Sequence, residues 1–143
     1  MTINQLSIFL ENRSGTLTKV LDILKEAGIL IIASSIADTA QYGLLRIVCT
    51  EPQRAYQELE RHGVAVALSD VFAIALDERP GQIAEVVRGL SEGNIGIVYM
   101  YSFFLHGKGL LIIRADKAEE AREVILRSSL RCISESVLPD WGA

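Results

Sequence analysis

Glu11-Asn12-Arg13-Ser14-Gly15-Thr16-Leu17 returns 66 positions later as Asp77-Glu78-Arg79-Pro80-Gly81-Gln82-Ile83, and this recurrence decides the fold. The same offset carries Ile8 onto Ile74, Leu10 onto Leu76, Val20 onto Val86, Leu24 onto Leu90, Ile29 onto Ile95 and Gly43-Leu44-Leu45 onto Gly109-Leu110-Leu111, without a gap. Self-similarity at a fixed spacing defines the folding unit before any other signal. A single step of this length marks a tandem duplication, with one copy over residues 1–69 and the second over residues 70–143, the latter ending in a short tail.

Upstream of the quoted turn, residues 6–10 alternate around polar Ser7, which predicts a strand. Downstream, Leu17, Val20, Leu21 and Leu24 recur at helical spacing, and Gly28 closes the helix. Residues 29–36 are rich in β-branched side chains, residues 38–43 break the pattern, and residues 44–49 resume it as the partner strand of a hairpin. Pro52 opens a second helix with a stripe of Ala55, Tyr56 and Leu59, because proline suits a first turn whose N–H is unpaired anyway. Residues 64–68 close the unit as a strand. The second copy repeats the series at 71–76, 82–90, 95–104, 110–114, 118–126 and 130–134, with only Ser69-Asp70 between the copies. The fold class is α+β: two tandem ferredoxin-like β-α-β-β-α-β units with antiparallel sheets, each covered on one face by two helices.

Half of the 143 residues are apolar, enough for a core without disulfides or metals, although each half alone lies near the lower limit of independent stability. A net charge of −4 with scattered charges offers no basic patch, so nucleic acid is not an expected partner. No apolar run reaches the ~18 residues that span a bilayer, and the N-terminus lacks the basic and apolar regions of a signal peptide, so no membrane partner is expected and the cytoplasm is the expected location. Cys49 and Cys132 lie in apolar segments without Cys or His at metal-ligand spacing. They read as buried reduced thiols, and no metal or cofactor is expected.

Both copies of the quoted turn end at a helix N-terminus, where the first backbone N–H groups lack intrahelical partners and carry the positive end of the helix dipole. Such a place receives a carboxylate or phosphate, and glycine allows close approach. A purely structural reading stands beside this one: Gly15 and Gly81 shape a tight turn, and Asn12 and Ser14 cap a helix.

A strand, a turn closing in Ser/Pro-Gly-x-Leu/Ile and an amphipathic helix, set within β-α-β-β-α-β order and present twice in register, resemble the ACT domain over nearly the whole chain. The chain also resembles the subgroup of small proteins made of two ACT domains, in Ser35-Ile36-Ala37-Asp38-Thr39 and in Tyr99-Met100-Tyr101. Ser14 departs from the proline common in the family, which loosens the turn but leaves its glycine. The resemblance implies a regulatory module or sensor that binds a small ligand, usually an amino acid, at the interface between paired ACT domains. One implied pocket combines Asn12, Arg13, Ser14, Gly15, Thr16 and Leu17 with Tyr99, Met100 and Tyr101. The other combines Glu78, Arg79, Gly81, Gln82 and Ile83 with Ser34 and Ser35. The first is favoured, because Asn12 supplies a donor and an acceptor where its counterpart Glu78 is anionic.

A homodimer is expected from the sheet edges, and a separate enzyme is a possible partner because the chain shows no output domain. The alternative function is a non-catalytic interaction subunit that pairs with an enzyme through sheet edges and binds no metabolite. Catalysis is not expected. His62 sits at a helix end and His106 in a hairpin turn, both in solvated settings. Arg13 and Arg79 occupy the region of an acylphosphatase phosphate loop, but the surrounding residues do not resemble that loop. An RNA-recognition module shares the element order, yet here the aromatics precede the hairpin, the third strand is aliphatic, and no basic surface accompanies them.

Overall fold

Strand β1 (Ile3–Glu11) buries Leu6, Ile8 and Leu10 on one face, and this period of two fixes the side that the helices cover. The computed structural model describes residues 2–11, 14–38, 42–105 and 107–140. After β1 come α1 (Thr16–Glu26), β2 (Ile31–Asp38), β3 (Tyr42–Cys49), α2 (Pro52–Arg61) and β4 (Val66–Leu76). The second copy continues with α3 (Gln82–Glu92), β5 (Ile97–Leu105), β6 (Lys108–Ala115) and α4 (Ala118–Arg127), then a 3-10 turn at Leu138–Asp140. These are two β-α-β-β-α-β units with antiparallel strands, as the repeat predicts.

The chain divides into two compact units, Asn4–Ser69 and Asp70–Ala143, the latter joined by Met1–Ile3. In the first unit the strands lie in the order β2-β3-β1, followed by the opening of β4. Pro52 starts α2 as expected, and Ala55 and Leu59 of α2 join Val20, Ile23 and Leu24 of α1 over Leu6, Ile8, Leu45 and Ile47. The second unit has the order β4-β6-β5 and repeats this core with Phe72, Ile74, Val86, Leu90, Leu111, Ile113, Ala121 and Ile125.

One clamp recurs in both copies at the start of the hairpin. Leu30 N–H donates to Thr50 Oγ1 at 3.0 Å, and Thr50 N–H returns a bond to Leu30 O at 3.0 Å. At the equivalent positions Gly96 N–H donates to Asp116 Oδ1 at 2.9 Å and Asp116 N–H to Gly96 O at 3.0 Å. Hydroxyl and carboxylate do the same work because both offer an acceptor oxygen at the same reach.

Three sequence expectations change. The two strands read at 64–68 and 71–76 are one continuous strand, β4, so Ser69-Asp70 is extended backbone within it. The strand expected at 130–134 is reduced to a single bridge of Cys132 to Ile74, held by Ala75 N–H to Arg131 O at 2.8 Å and Ile133 N–H to Ala73 O at 2.7 Å. On α1 the buried stripe is Val20, Ile23 and Leu24, whereas Leu17 and Leu21 face solvent. Five apolar residues within eight positions cover more than one face of a helix, and only contact with the sheet selects the buried set. Cys49 is buried and Cys132 half-buried, neither in a disulfide, with burial raising the Cys132 pKa. His106 and Trp141 lie outside the described residues.

Candidate ligand-binding site

Helices α1 and α3 begin in the same way. Gly15 and Gly81 occupy the N-cap positions with φ of 92° and 85°, a region that an L side chain rarely enters. Among the described residues no side chain caps either helix, so none of the usual Ser, Thr, Asp or Asn oxygens among them takes up the first-turn N–H groups. At Gly15 a Cβ would find no atom within 4 Å, which leaves open space against the backbone.

The residue after each glycine ties the turn back to the strand. Thr16 Oγ1 donates to Glu11 O at 3.0 Å in the first copy. In the second, Asp77 N–H donates to Gln82 Oε1 at 2.6 Å. The polarity is reversed but the link between strand end and helix start is the same, and it fixes where the helix N–H groups point. Ser14, Gly15 and Leu17 are exposed and Thr16 half-buried, while Asn12 and Arg13 lie outside the described residues.

The strand residues named with these turns are sorted by the pleat. Ser34 pairs with Ile47, which is in the helix-covered core, so Ser34 shares the helix side; Ser35 pairs with Arg46 and takes the opposite side. In β5, Met100 pairs with the core residue Ile113 and lies on the helix side, whereas Tyr99 and Tyr101 pair with Arg114 and Ile112 on the other. The two tyrosine rings stack at 6.5 Å between centroids. Neither the serine pair nor the Tyr99-Met100-Tyr101 triplet therefore forms one wall.

Phe104, which the sequence analysis did not name for a site, sits at the second turn. With Leu76, Gly81, Gln82 and Ile83 it lines a groove of about 240 Å³ at the start of α3. Its ring lies over Gly109, where a Cβ would come within 2.6 Å of it. The repeated glycine of the hairpin was the available signal, since a glycine in a strand marks close approach by another group. Gly109→Ala should displace the Phe104 ring and lower stability by about 1–3 kcal/mol, read as a fall in the urea midpoint. An unchanged midpoint would contradict the contact.

The two turns differ electrostatically. The first turn of α1 carries no acidic residue. The first turn of α3 carries Glu85, which accepts from Arg79 at 2.8 Å and 3.2 Å. That contact holds the Glu85 carboxyl below its ordinary range and raises the Arg79 guanidinium. Both side chains are half in water, where such a pair adds little stability. Its consequence is that Arg79 already has a carboxylate partner. Glu78 is exposed.

Among the described residues no group of three or more His, Cys, Asp or Glu is placed to hold a metal ion. His62 is exposed at the end of α2, with Nδ1 2.8 Å from Glu58 O. No helix of the described residues is long and apolar enough to cross a membrane.

The sequence profile of an ACT domain pair matches residues 1–140. The chain belongs to that family. This ACT domain pair is similar to a solved protein of Bacteroides thetaiotaomicron, at 36% identity over 96% of each chain and a TM-score of 0.92. It also superposes on the ligand-free regulatory subunit of aspartate kinase from Thermus thermophilus, with a TM-score of 0.64, 18% identity and coverage of 87% of this chain and 91% of that one. Aspartokinase alpha and beta subunits give a TM-score of 0.59 at 14% identity, over 85% and 88% of the two chains. At those identities the likeness is one of fold. Among curated proteins none matches this ACT domain pair.

Proposed function

We propose that this ACT domain pair is a non-catalytic regulatory protein that binds a free amino acid at the first turn. The observation that carries the reading is the N-terminus of α1: a glycine at φ 92°, no side-chain cap from the described residues and no acidic residue in the first turn. The ligand carboxylate takes the place of the missing cap and accepts from the first-turn N–H groups. Bonds of this charge-assisted kind are the strong ones, and the helix dipole adds about 0.3–1 kcal/mol. Asn12 and Arg13 flank this seat in sequence, and Asn12 supplies both a donor and an acceptor for the rest of the ligand.

The second turn is the weaker seat for a carboxylate, because Glu85 and Glu78 bring negative charge to it. The output passes to a separate partner, and a fold shared with a regulatory subunit supports that role without naming the partner. Strands β2 and β5 end their sheets, and a second copy would add there to give a homodimer.

Equilibrium dialysis against each of the twenty amino acids tests the reading. Wild type should retain one or a few of them. Asn12→Ala should weaken that binding by about 1–3 kcal/mol, roughly 5- to 150-fold, as a polar partner is lost. Equal retention by both proteins would move the site away from the first turn.

A further inference from the structure

We propose that the groove between helices α3 and α4 binds a short branched alkyl amine, a ligand class distinct from the amino acid of the first turn. The groove lies within the second unit and measures about 120 Å³. It is lined by Val86, Gly89 and Leu90 of α3, by Val124 and Ile125 of α4, and by Leu130. An apolar cavity of ~150 Å³ admits a benzene-sized molecule, so this one takes roughly four or five carbons.

The first copy shows such a groove filled, since α1 and α2 stand at the positions equivalent to α3 and α4. Gly89 answers to Ile23, which packs in the first core at 8% exposure. Val124 answers to Glu58, whose carboxylate accepts from Arg61 at 2.6 Å. Glu85 answers to Lys19, whose ammonium donates to His62 O at 3.5 Å, from one helix to the end of the other. The first copy thus fills the place with a sec-butyl group and bridges it with an ammonium. In the second copy both are missing and one wall has become apolar. Local packing does not demand the glycine: a Cβ at Gly89 would meet only Val124 Cγ1, at an ordinary 3.9 Å, and a glycine inside a helix weakens it. Its effect is to open the groove.

Two features select a cation for the polar end of the ligand. Glu85 is the only charged side chain that lines the groove among the described residues. Its contact with Arg79 is half in water, and a carboxylate has lone pairs for a further donor. The second feature is the end of α4. At the end of α2, backbone N–H groups take Glu58 O, Leu59 O and Glu60 O. At the end of α4 the capping N–H takes only Ile125 O, and Leu130 N–H turns to Ser128 Oγ at 3.2 Å. Carbonyls at a helix C-terminus carry partial negative charge and attract cations. A carboxylate would face both Glu85 and this helix end, so a whole amino acid is disfavoured where an amine is held.

The Leu90 and Val124 methyl resonances read the site directly. Proton–carbon spectra of the wild-type chain are titrated with 3-methylbutan-1-amine, 3-methylbutan-1-ol and 3-methylbutanoate, which share one carbon skeleton. The expected result is saturable shifts with the amine, binding at least threefold weaker with the alcohol, and no shift with the carboxylate. Gly89→Ile places the residue of the first copy in the groove and should weaken amine binding at least tenfold. Glu85→Gln, at a half-exposed position, should bring the amine down to the affinity of the alcohol, and it serves if Gly89→Ile does not fold. Equal affinity of the wild type for amine and alcohol would overturn the ligand class. Amine binding unchanged in a folded variant, or no shift with any of the three compounds, would overturn the site.

Discussion

Gly15→Asp is expected to abolish amino-acid binding at the first turn. Three effects act together. A carboxylate side chain is placed beside the N–H groups that the ligand carboxylate needs, and near a helix N-terminus it takes up part of the dipole itself. It repels an incoming anion at short range. It also occupies the open space over Gly15 that lets a ligand reach the backbone. The residue must hold φ near 92°, which costs a non-glycine side chain about 1–2 kcal/mol. Gly15→Ala carries that same strain without the charge, so the difference in affinity between the two variants isolates the electrostatic part. Both should fold, and circular dichroism with urea unfolding checks that the loss is one of binding. Tight binding by folded Gly15→Asp would remove the first turn from consideration.

Phe72→Ala should give the largest loss of stability, about 3–5 kcal/mol. Phe72 is almost fully buried on β4, pairs with Ile113 of β6 and belongs to the core beneath α3 and α4. Removing its ring deletes both the transfer energy and the contacts of its neighbours, since a rigid sheet and two helices collapse little into the void. Leu126→Ala on α4 is the comparison, because Leu126 is mostly exposed and its loss should stay within about 0.5 kcal/mol. Urea midpoints of the two variants test this directly. Equal midpoints would contradict the assignment of the second core.

Much of this fold was legible because the duplication supplies two readings of each element. Gly15 and Gly81 were identifiable as the start of a helix from either copy, and both take the positive φ that the residue type permits. The sides of β2 and β5 were not legible in the same way. Each strand has a register irregularity, between Ile31 and Ala33 and between Ile97 and Tyr99, which breaks the count from one end of the strand to the other. Which of Ser34 and Ser35, or of Met100 and Tyr101, takes the helix side was therefore hidden, although neighbours in a strand must face apart.

Residues 130–134 carried an apolar pattern suited to a strand, but a strand requires continuous pairing, and only the bridge at Cys132 forms. Gln82 was named from its place in the turn. Its burial was hidden because a polar residue in a first helical turn is usually solvated, and here a hydrogen bond to Asp77 N–H draws it inward. The chemistry of a ligand seat was thus visible in the turn residues, while the walls depended on register and on the path of the chain after α4.

The central claim is that this protein binds a free amino acid. Its most direct test is the thermal unfolding midpoint of the wild-type chain, refolded after exhaustive dialysis, with each of the twenty amino acids added at millimolar concentration. A ligand that binds the native state at ~100 times its dissociation constant stabilises it by ~2.7 kcal/mol, which raises the midpoint by several degrees in a chain of this size. The account predicts such a rise for one or a few amino acids and none for the rest. A midpoint unmoved by all twenty would contradict it.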